Sequence, residues 1–294
     1  MSERIVVGTR GSKLALAQTK KVVDILKSEG FEVEVKIIKS TGDIMKDKPL
    51  YEFKKSGVFV RTLENALVKG EIDVAVHSYK DIPSSMLEGV VVAAVLERDT
   101  PNDAFISRDG TDINRIKRNA VIGTSSLRRR SQLSIYRPDL VFRNIRGNVD
   151  TRIRKLMNGL YDAIVLAEAG IVRLGLNLRY QRLPIEKFVP SANQGIIAVQ
   201  TRSEDKDLVE FMNDKRTWME ASIERAVMRV LGFGCAIPAG IYAEHVGKRI
   251  RLLCQIIRDG KEYRVDEFLN PRTAIEEAVE IARDLKEEVQ KHSR

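Results

Sequence analysis

The sequence predicts an α/β protein with two similar sheet-based lobes and a smaller third domain. Short apolar runs that read as strands alternate with amphipathic helical stretches from Ile5 onward, the pattern of a layered α/β chain. One motif occurs twice: Val7-Gly8-Thr9 leads to Ser12 and a helix, and Ile122-Gly123-Thr124 leads to Ser125-Ser126 and a helix. A chain of 294 residues is long enough for two or three domains that each bury a core.

The first lobe opens with a strand at Ile5 to Gly8. Ser12 is placed to cap a helix containing Leu14, Leu16 and Val22, and Val33 to Ile38 alternates as a strand does, which completes a βαβ unit. Val58 to Val68 reads as a helix and Asp73 to Val76 as a buried strand, with His77-Ser78-Tyr79-Lys80-Asp81 just beyond its carboxyl end. Ligands of open α/β sheets meet the chain at such ends.

Proline, asparagine and aspartate between Arg98 and Asp103 break the pattern and mark the start of a second lobe. There Ala120 to Ile122, Val141 to Ile145 and Asp162 to Leu166 are strand-like, and Ser125 or Ser126 caps the helix that follows the first of them. After the proline-containing stretch Leu183 to Pro190, the strand-like Gly195 to Val199 carries the chain back to the first lobe. A long helix from Thr217 to Leu231, strands at Ala239 to Val246 and Ile250 to Ile257, and a helix after Pro271 make up the third domain. The expected boundaries are 1–98 plus 194–214 for a discontinuous first lobe, 99–193 for the second and 215–294 for the third.

No apolar run is long enough to cross a bilayer as a helix; Ile5 to Val7, Val90 to Val95 and Ala163 to Ala167 are all short. Gly8 and Arg10 arrive too early for a secretory signal, so a cytoplasmic location is expected. Cys235 and Cys254 are too few for a disulfide framework and are expected as reduced thiols. A formal charge of +9 suits nucleic acid, a membrane surface or anionic metabolites. It is spread through folded segments and accompanied by acids at Glu204 to Asp207 and Glu277 to Glu280, and aromatics are only 6% of residues, which argues against a base-stacking surface. The expected partner is therefore a small, multiply anionic molecule, with no nucleic acid and no membrane. His77, His245 and His292 form no ligand motif, and no metal is expected.

Anion chemistry concentrates at a few turns. Ser125-Ser126-Leu127-Arg128-Arg129-Arg130 follows a strand at a helix start, where backbone donors, hydroxyls and guanidiniums converge on carboxylates or phosphates. Arg143, Arg146, Arg152 and Arg154 surround Gly147-Asn148 after the next strand, and Arg10-Gly11-Ser12 offers a matching donor set in the first lobe. Neither GxxxxGK[ST] nor GxGxxG is present, so a common nucleotide cradle is missing and separated arginines better suit dispersed carboxylates. Lys80-Asp81 is a candidate pair for proton transfer or for stabilising positive charge. Cys235, in Gly234-Cys235-Ala236-Ile237-Pro238, stands where a covalent attachment is feasible, whereas Cys254 lies in the apolar run Leu252 to Ile257 and reads as core.

Taken together, five segments resemble the porphobilinogen deaminase (hydroxymethylbilane synthase) family: Thr9 to Leu16, Ala75 to Pro83, Gly123 to Arg129, Arg146 to Arg152, and Gly234-Cys235. The resemblance spans nearly the whole chain. It implies two lobes like those of periplasmic binding proteins around a cleft, with a small α/β third domain bearing the cofactor cysteine. It implies a transferase that joins four porphobilinogen molecules head to tail, releases ammonia at each condensation, and hydrolyses the product to hydroxymethylbilane. A dipyrromethane cofactor, linked by a thioether to Cys235, primes the chain in that family, which acts as a monomer in porphyrin and heme biosynthesis.

Carried over residue by residue, the resemblance makes Asp81 the catalytic carboxylate with Lys80 beside it. It makes Ser126, Arg128, Arg129 and Arg146 cofactor contacts along with Lys80 and Asp81, and Arg10, Ser12, Arg146, Arg152 and Phe59 substrate contacts. The chain departs from the family pattern at Lys54-Lys55-Ser56-Gly57, at Asn193 where a smaller residue is usual, and at Ala236 where glutamine is frequent. The competing reading is a two-lobed organic-anion-binding protein without catalysis.

Overall fold

The computed structural model describes residues 4–39, 58–232 and 238–291, without the side chains of Val58 and Phe59. By its internal packing the chain forms two compact units, one of residues 1–99 with 196–218 and one of residues 100–195 with 219–294.

In the first unit, β1 (Arg4–Thr9) leads to α1 (Lys13–Ser28) and β2 (Glu32–Ile37). Then follow α2 (Val58–Val68), β3 (Val74–Ser78) with a 3-10 turn at Tyr79–Asp81, and β4 (Val90–Val95). The returning strand β10 (Ile197–Arg202) completes a sheet of order β2-β1-β3-β10-β4. The first three strands are parallel, and β10 runs antiparallel to both β3 and β4. Val74 to His77 are all buried, as a central strand covered on both faces requires. Ile5, Val7, Val22 and Leu26 pack on one side, and Leu63, Leu67 and Ile72 pack in a separate cluster with α2.

The second lobe repeats this plan. Strands β5 (Asp103–Ser107), β6 (Val121–Gly123), β7 (Val141–Arg143), β8 (Ala163–Ala167) and β9 (Gln181–Arg182) form a sheet of order β7-β6-β8-β5-β9. Again the first three neighbours are parallel and the fourth is antiparallel. Helices α3 (Leu127–Tyr136), α4 (Val149–Met157) and α5 (Glu168–Arg173) connect them.

The duplicated motif is a duplicated structure. Ser12 caps α1 by accepting from Ala15 N at 3.2 Å, and Ser126 caps α3 by accepting from Arg129 N at 3.4 Å. An aspartate before the third strand of each lobe clamps the first: Asp73 accepts from Val6 N at 2.9 Å, and Asp162 accepts from Val121 N at 2.8 Å.

The third domain begins with α6 (Lys215–Leu231), which bridges the two units in sequence, and continues as an antiparallel sheet β11 (Ala239–Val246), β12 (Arg249–Arg258) and β13 (Lys261–Leu269) closed by α7 (Ala274–Lys291). Ala278, Ala282, Leu285 and Val289 form the buried stripe of α7 and meet Leu252, Cys254 and Ile256, the spacing of an amphipathic helix on a sheet. On the other face, Tyr242 and Leu253 pack against Val189 of the second lobe.

Candidate functional site

In the first lobe, β1 and β3 are parallel neighbours, with Gly8 opposite Ala75, so Arg10-Gly11-Ser12 and the Tyr79–Asp81 turn leave the same edge of the sheet. Lys80 and Asp81 are exposed while Tyr79 between them and the strand is buried. The turn is anchored by Tyr79 N donating to Ile196 O at 3.0 Å and Ile82 N donating to Tyr79 O at 3.1 Å. Gln18 Nε2 donates to Ser78 Oγ at 2.7 Å, tying α1 to the end of β3. A carboxylate on so short and well-held a turn is fixed in position yet solvent-facing.

His77 lies behind this turn. Burial, and then the positive charge of Arg10, pull its imidazole down to about 4 against a hydrogen bond with Gln200. It is a neutral, buried neighbour of Arg10. The first lobe also has an open groove bounded by Lys21, Asp24, Arg98, Asp99 and Phe211, which includes none of the residues singled out from the sequence.

The second lobe brings its two basic turns together. Ser125 Oγ donates to Ile145 O at 2.7 Å and accepts from Ile145 N at 3.1 Å, so the Ser126–Arg129 turn is stitched to the start of the Arg146 loop. In that loop Arg152 Nε donates to Gly147 O at 2.7 Å and Lys155 Nζ donates to Arg146 O at 3.0 Å, while Arg146 itself is exposed. Gly147 has φ of 112°, a conformation that glycine adopts without strain.

Arg128 and Arg129 are not the open donors that the sequence leads one to expect. Their residues are only 6% and 9% exposed, and both guanidiniums engage Asp103, itself 1% exposed. Arg129 donates to Asp103 Oδ1 from Nε at 3.1 Å and Nη2 at 2.8 Å, and to Val165 O from Nη1 at 3.0 Å. Arg128 Nη1 lies 2.9 Å from Asp103 Oδ2 and donates to Val189 O and Gln132 Oε1, each at 3.0 Å. Burial pushes the Asp103 carboxyl up, but the two arginines outweigh it and hold it well below the usual carboxylate range.

Asp103 is the residue that sequence reasoning missed. It was visible only as part of a pattern break after Pro101, whereas it opens β5 and also accepts from Gln194 Nε2 at 2.9 Å. With two cations on one buried anion the cluster keeps an excess positive charge. Arg128 Nε is buried and has no hydrogen-bond partner among the described residues. A polycarboxylate such as dipyrromethane fits this donor set.

Cys235, the whole Lys54–Gly57 stretch, Ala236 and the side chain of Phe59 lie outside the described residues. Cys254 is fully buried in the third-domain core, and burial, with Glu224 nearby, pushes its thiol up to about 12. The unusual Asn193 is accommodated in the left-handed region at φ of 60°, its backbone N donating to Glu224 Oε2 at 2.5 Å and its Nδ2 to Ala221 O at 3.2 Å. Asparagine tolerates that conformation better than most side chains.

Residues 5–210 match the family model described as porphobilinogen deaminase, dipyromethane cofactor binding domain, and residues 218–291 match that of the porphobilinogen deaminase C-terminal domain. The chain belongs to the porphobilinogen deaminase family. It is 60% identical to the probable porphobilinogen deaminase of Archaeoglobus fulgidus over 97% of this chain and 99% of the relative. The probable porphobilinogen deaminase of Methanocella arvoryzae is 45% identical over 95% of this chain and 93% of its own. Among solved structures, a periplasmic substrate-binding protein from Coxiella burnetii shares 15% identity at a TM-score of 0.42, covering 73% of this chain and 88% of that one. No helix among the described residues is long and apolar enough to cross a membrane. Membership in the porphobilinogen deaminase family favours the enzyme over a merely anion-binding protein.

Proposed function

We propose that this transferase of the porphobilinogen deaminase family divides its work between an exposed carboxylate in the first lobe and a set of arginines in the second. It joins four porphobilinogen molecules head to tail. In each condensation the substrate's aminomethyl C–N bond breaks, ammonia leaves, a C–C bond forms to the free α-carbon of the waiting pyrrole, and that carbon's proton is lost. In the final step the C–C bond to the primer breaks, the primer's α-carbon regains a proton, and water adds to the freed methylene to give hydroxymethylbilane. Dipyrromethane, when bound, supplies the covalent primer that this chemistry extends.

Asp81 accepts from pyrrole N–H groups and stabilises the positive charge that develops on the rings, and it assists the departing proton. Lys80 pairs with the reacting molecule's carboxylates; an ordinary lysine holds its proton too tightly near neutral pH to serve as the acid. Arg128, Arg129, Ser126 and Arg146 hold the carboxylates of the cofactor. Arg10, Ser12, Arg146 and Arg152 receive those of the incoming substrate, with Phe59 beside it. The three-domain division at 1–98 plus 194–214, 99–193 and 215–294, a monomeric state and a cytoplasmic location complete this reading.

The observation that carries the reading is the stitched pair of basic turns in the second lobe, with its buried cationic excess on Asp103. Isolated pyrrole carboxylates would be costly to desolvate without such donors. Cys235 is the attachment point, because a thiolate is a strong carbon nucleophile, and the raised Cys254 thiol is not. Intact-mass measurement of the denatured chain is expected to show an excess of two linked pyrrole units, mapped to a Cys235 peptide and stable to thiol reductant. An active preparation with unmodified Cys235, or an adduct on Cys254, overturns the assignment.

A further inference from the structure

We propose that Gln132 is a positioning residue for Arg128, and that the third domain, through Gln255, sets the orientation in which Arg128 meets the cofactor. This rests on the reading of Arg128 as a carboxylate donor.

Gln132 sits one helical turn after Arg128 on α3, and Gln132, Arg128 and Gln255 are all buried. Gln132 Nε2 donates to Val189 O at 2.8 Å and to Gln255 Oε1 at 2.5 Å. A backbone carbonyl can only accept, so the amide must turn its oxygen toward Arg128 Nη1, 3.0 Å away. The same logic fixes Gln255, whose Nε2 donates to Glu262 Oε1 at 2.6 Å and to Lys187 O at 3.3 Å. Both of its acceptors lack a proton to give, and its own oxygen is thereby left to face Gln132.

A polar relay of single direction results: Arg128 donates to Gln132, Gln132 to Gln255, and Gln255 to the Glu262 carboxylate on β13. It crosses from α3 to the third domain. Val189 O is also placed by that domain, because Gly240 of β11 lies so close that a Cβ there would strike the carbonyl. Gln132 Oε1, Val189 O and Asp103 Oδ2 all gather at Nη1 of Arg128, and the buried Nε has no partner among the described residues. These contacts at Nη1 fix the pose of the guanidinium, and with it the direction in which its charge faces a cofactor carboxylate. Turning either glutamine into an apolar residue removes the reference for that pose while leaving the charge in place.

The test uses apoprotein incubated with porphobilinogen alone, following by intact mass the rate at which the two-pyrrole increment appears. Gln132→Met and Gln255→Met are each expected to slow this loading about tenfold, the scale of one lost hydrogen bond to a charged group. In an Arg128→Lys background, adding Gln132→Met is expected to change the rate less than about twofold, since coupled residues do not add. An equal tenfold loss in that background, or a lowered unfolding midpoint with normal loading of the folded fraction, makes the role structural and overturns the proposal. If Gln132→Met does not fold, Gln255→Met decides alone. Wild-type loading in Arg128→Leu removes the underlying reading of Arg128. Slow loading in Arg128→Leu with normal loading in both glutamine variants removes only the present inference.

Discussion

At the carboxyl end of β3 the first lobe turns its charges outward: Lys80 and Asp81 are exposed on one anchored turn. At the corresponding end of β8 the second lobe buries its acid. Glu168 accepts from Thr100 Oγ1 at 2.6 Å, from Tyr180 Oη at 2.8 Å and from Arg182. Arg128 and Arg129 turn inward with it onto Asp103. The two lobes share strand order, serine caps and aspartate clamps, yet one presents a solvent-facing acid and the other a rigid cationic platform. The lesson is that a common backbone plan sets where side chains emerge, while the nearest buried counter-charge decides whether they are reactive or structural.

If that contrast is right, removing the exposed acid alters rate without altering stability. Asp81→Ala is expected to lose about three orders of magnitude in ammonia release at saturating porphobilinogen, with an unchanged unfolding midpoint. Retained turnover in this variant removes Asp81 from the centre of the chemistry. The opposite pattern is expected from the buried acid. Asp103→Ala leaves two buried guanidiniums uncompensated and is expected to cost about 3–5 kcal/mol in denaturant unfolding; a loss under about 1 kcal/mol would show the platform to be solvated.

A pH experiment sharpens the comparison within the first lobe. The folded His77 titrates at about 4 against 6.5 for the free group, so the unfolded chain binds the extra proton between these values. Its contribution is present above pH 6.5 and is lost as pH falls toward 4, by up to about 3 kcal/mol. His77→Gln is expected to flatten the stability profile across that window; an unchanged slope assigns the acid sensitivity elsewhere. The smallest effect is expected at the exposed Arg146. Arg146→Leu should stay within about 0.5 kcal/mol of the parent in stability while cofactor loading or elongation falls about tenfold. Normal intact mass together with normal ammonia release excludes it from the site.

Much of this was legible in the sequence, and the omissions have physical reasons. The periodicity of Ile5 to Ile38 and the twin Gly-Thr-Ser motifs announced two similar lobes because a central parallel strand must be apolar and its following helix must be capped. Strand β13, Lys261–Leu269, was not anticipated: only Tyr263 and Leu269 in it are buried, and an edge strand this charged has no strong apolar signature. Helix α4, Val149–Met157, was hidden by the arginines read as a basic loop, since only Leu156 is fully buried. Asp103 and Gln132 act through partners far along the chain, Asp103 through Arg128 and Arg129, and Gln132 through Val189 and Gln255. No local pattern encodes such pairings.

The buried Cys254 has a practical corollary. With its thiol pushed up to about 12, only about one molecule in 100,000 carries the thiolate there at pH 7, and the surrounding core bars any reagent of appreciable size. Of the chain's 2 cysteines, one is thus chemically silent in the native fold. An alkylating probe applied without denaturant therefore leaves Cys254 unlabelled, and in denaturant the shortfall from two labels per chain gives the fraction of molecules already carrying a substituent on Cys235, without any need for substrate or turnover.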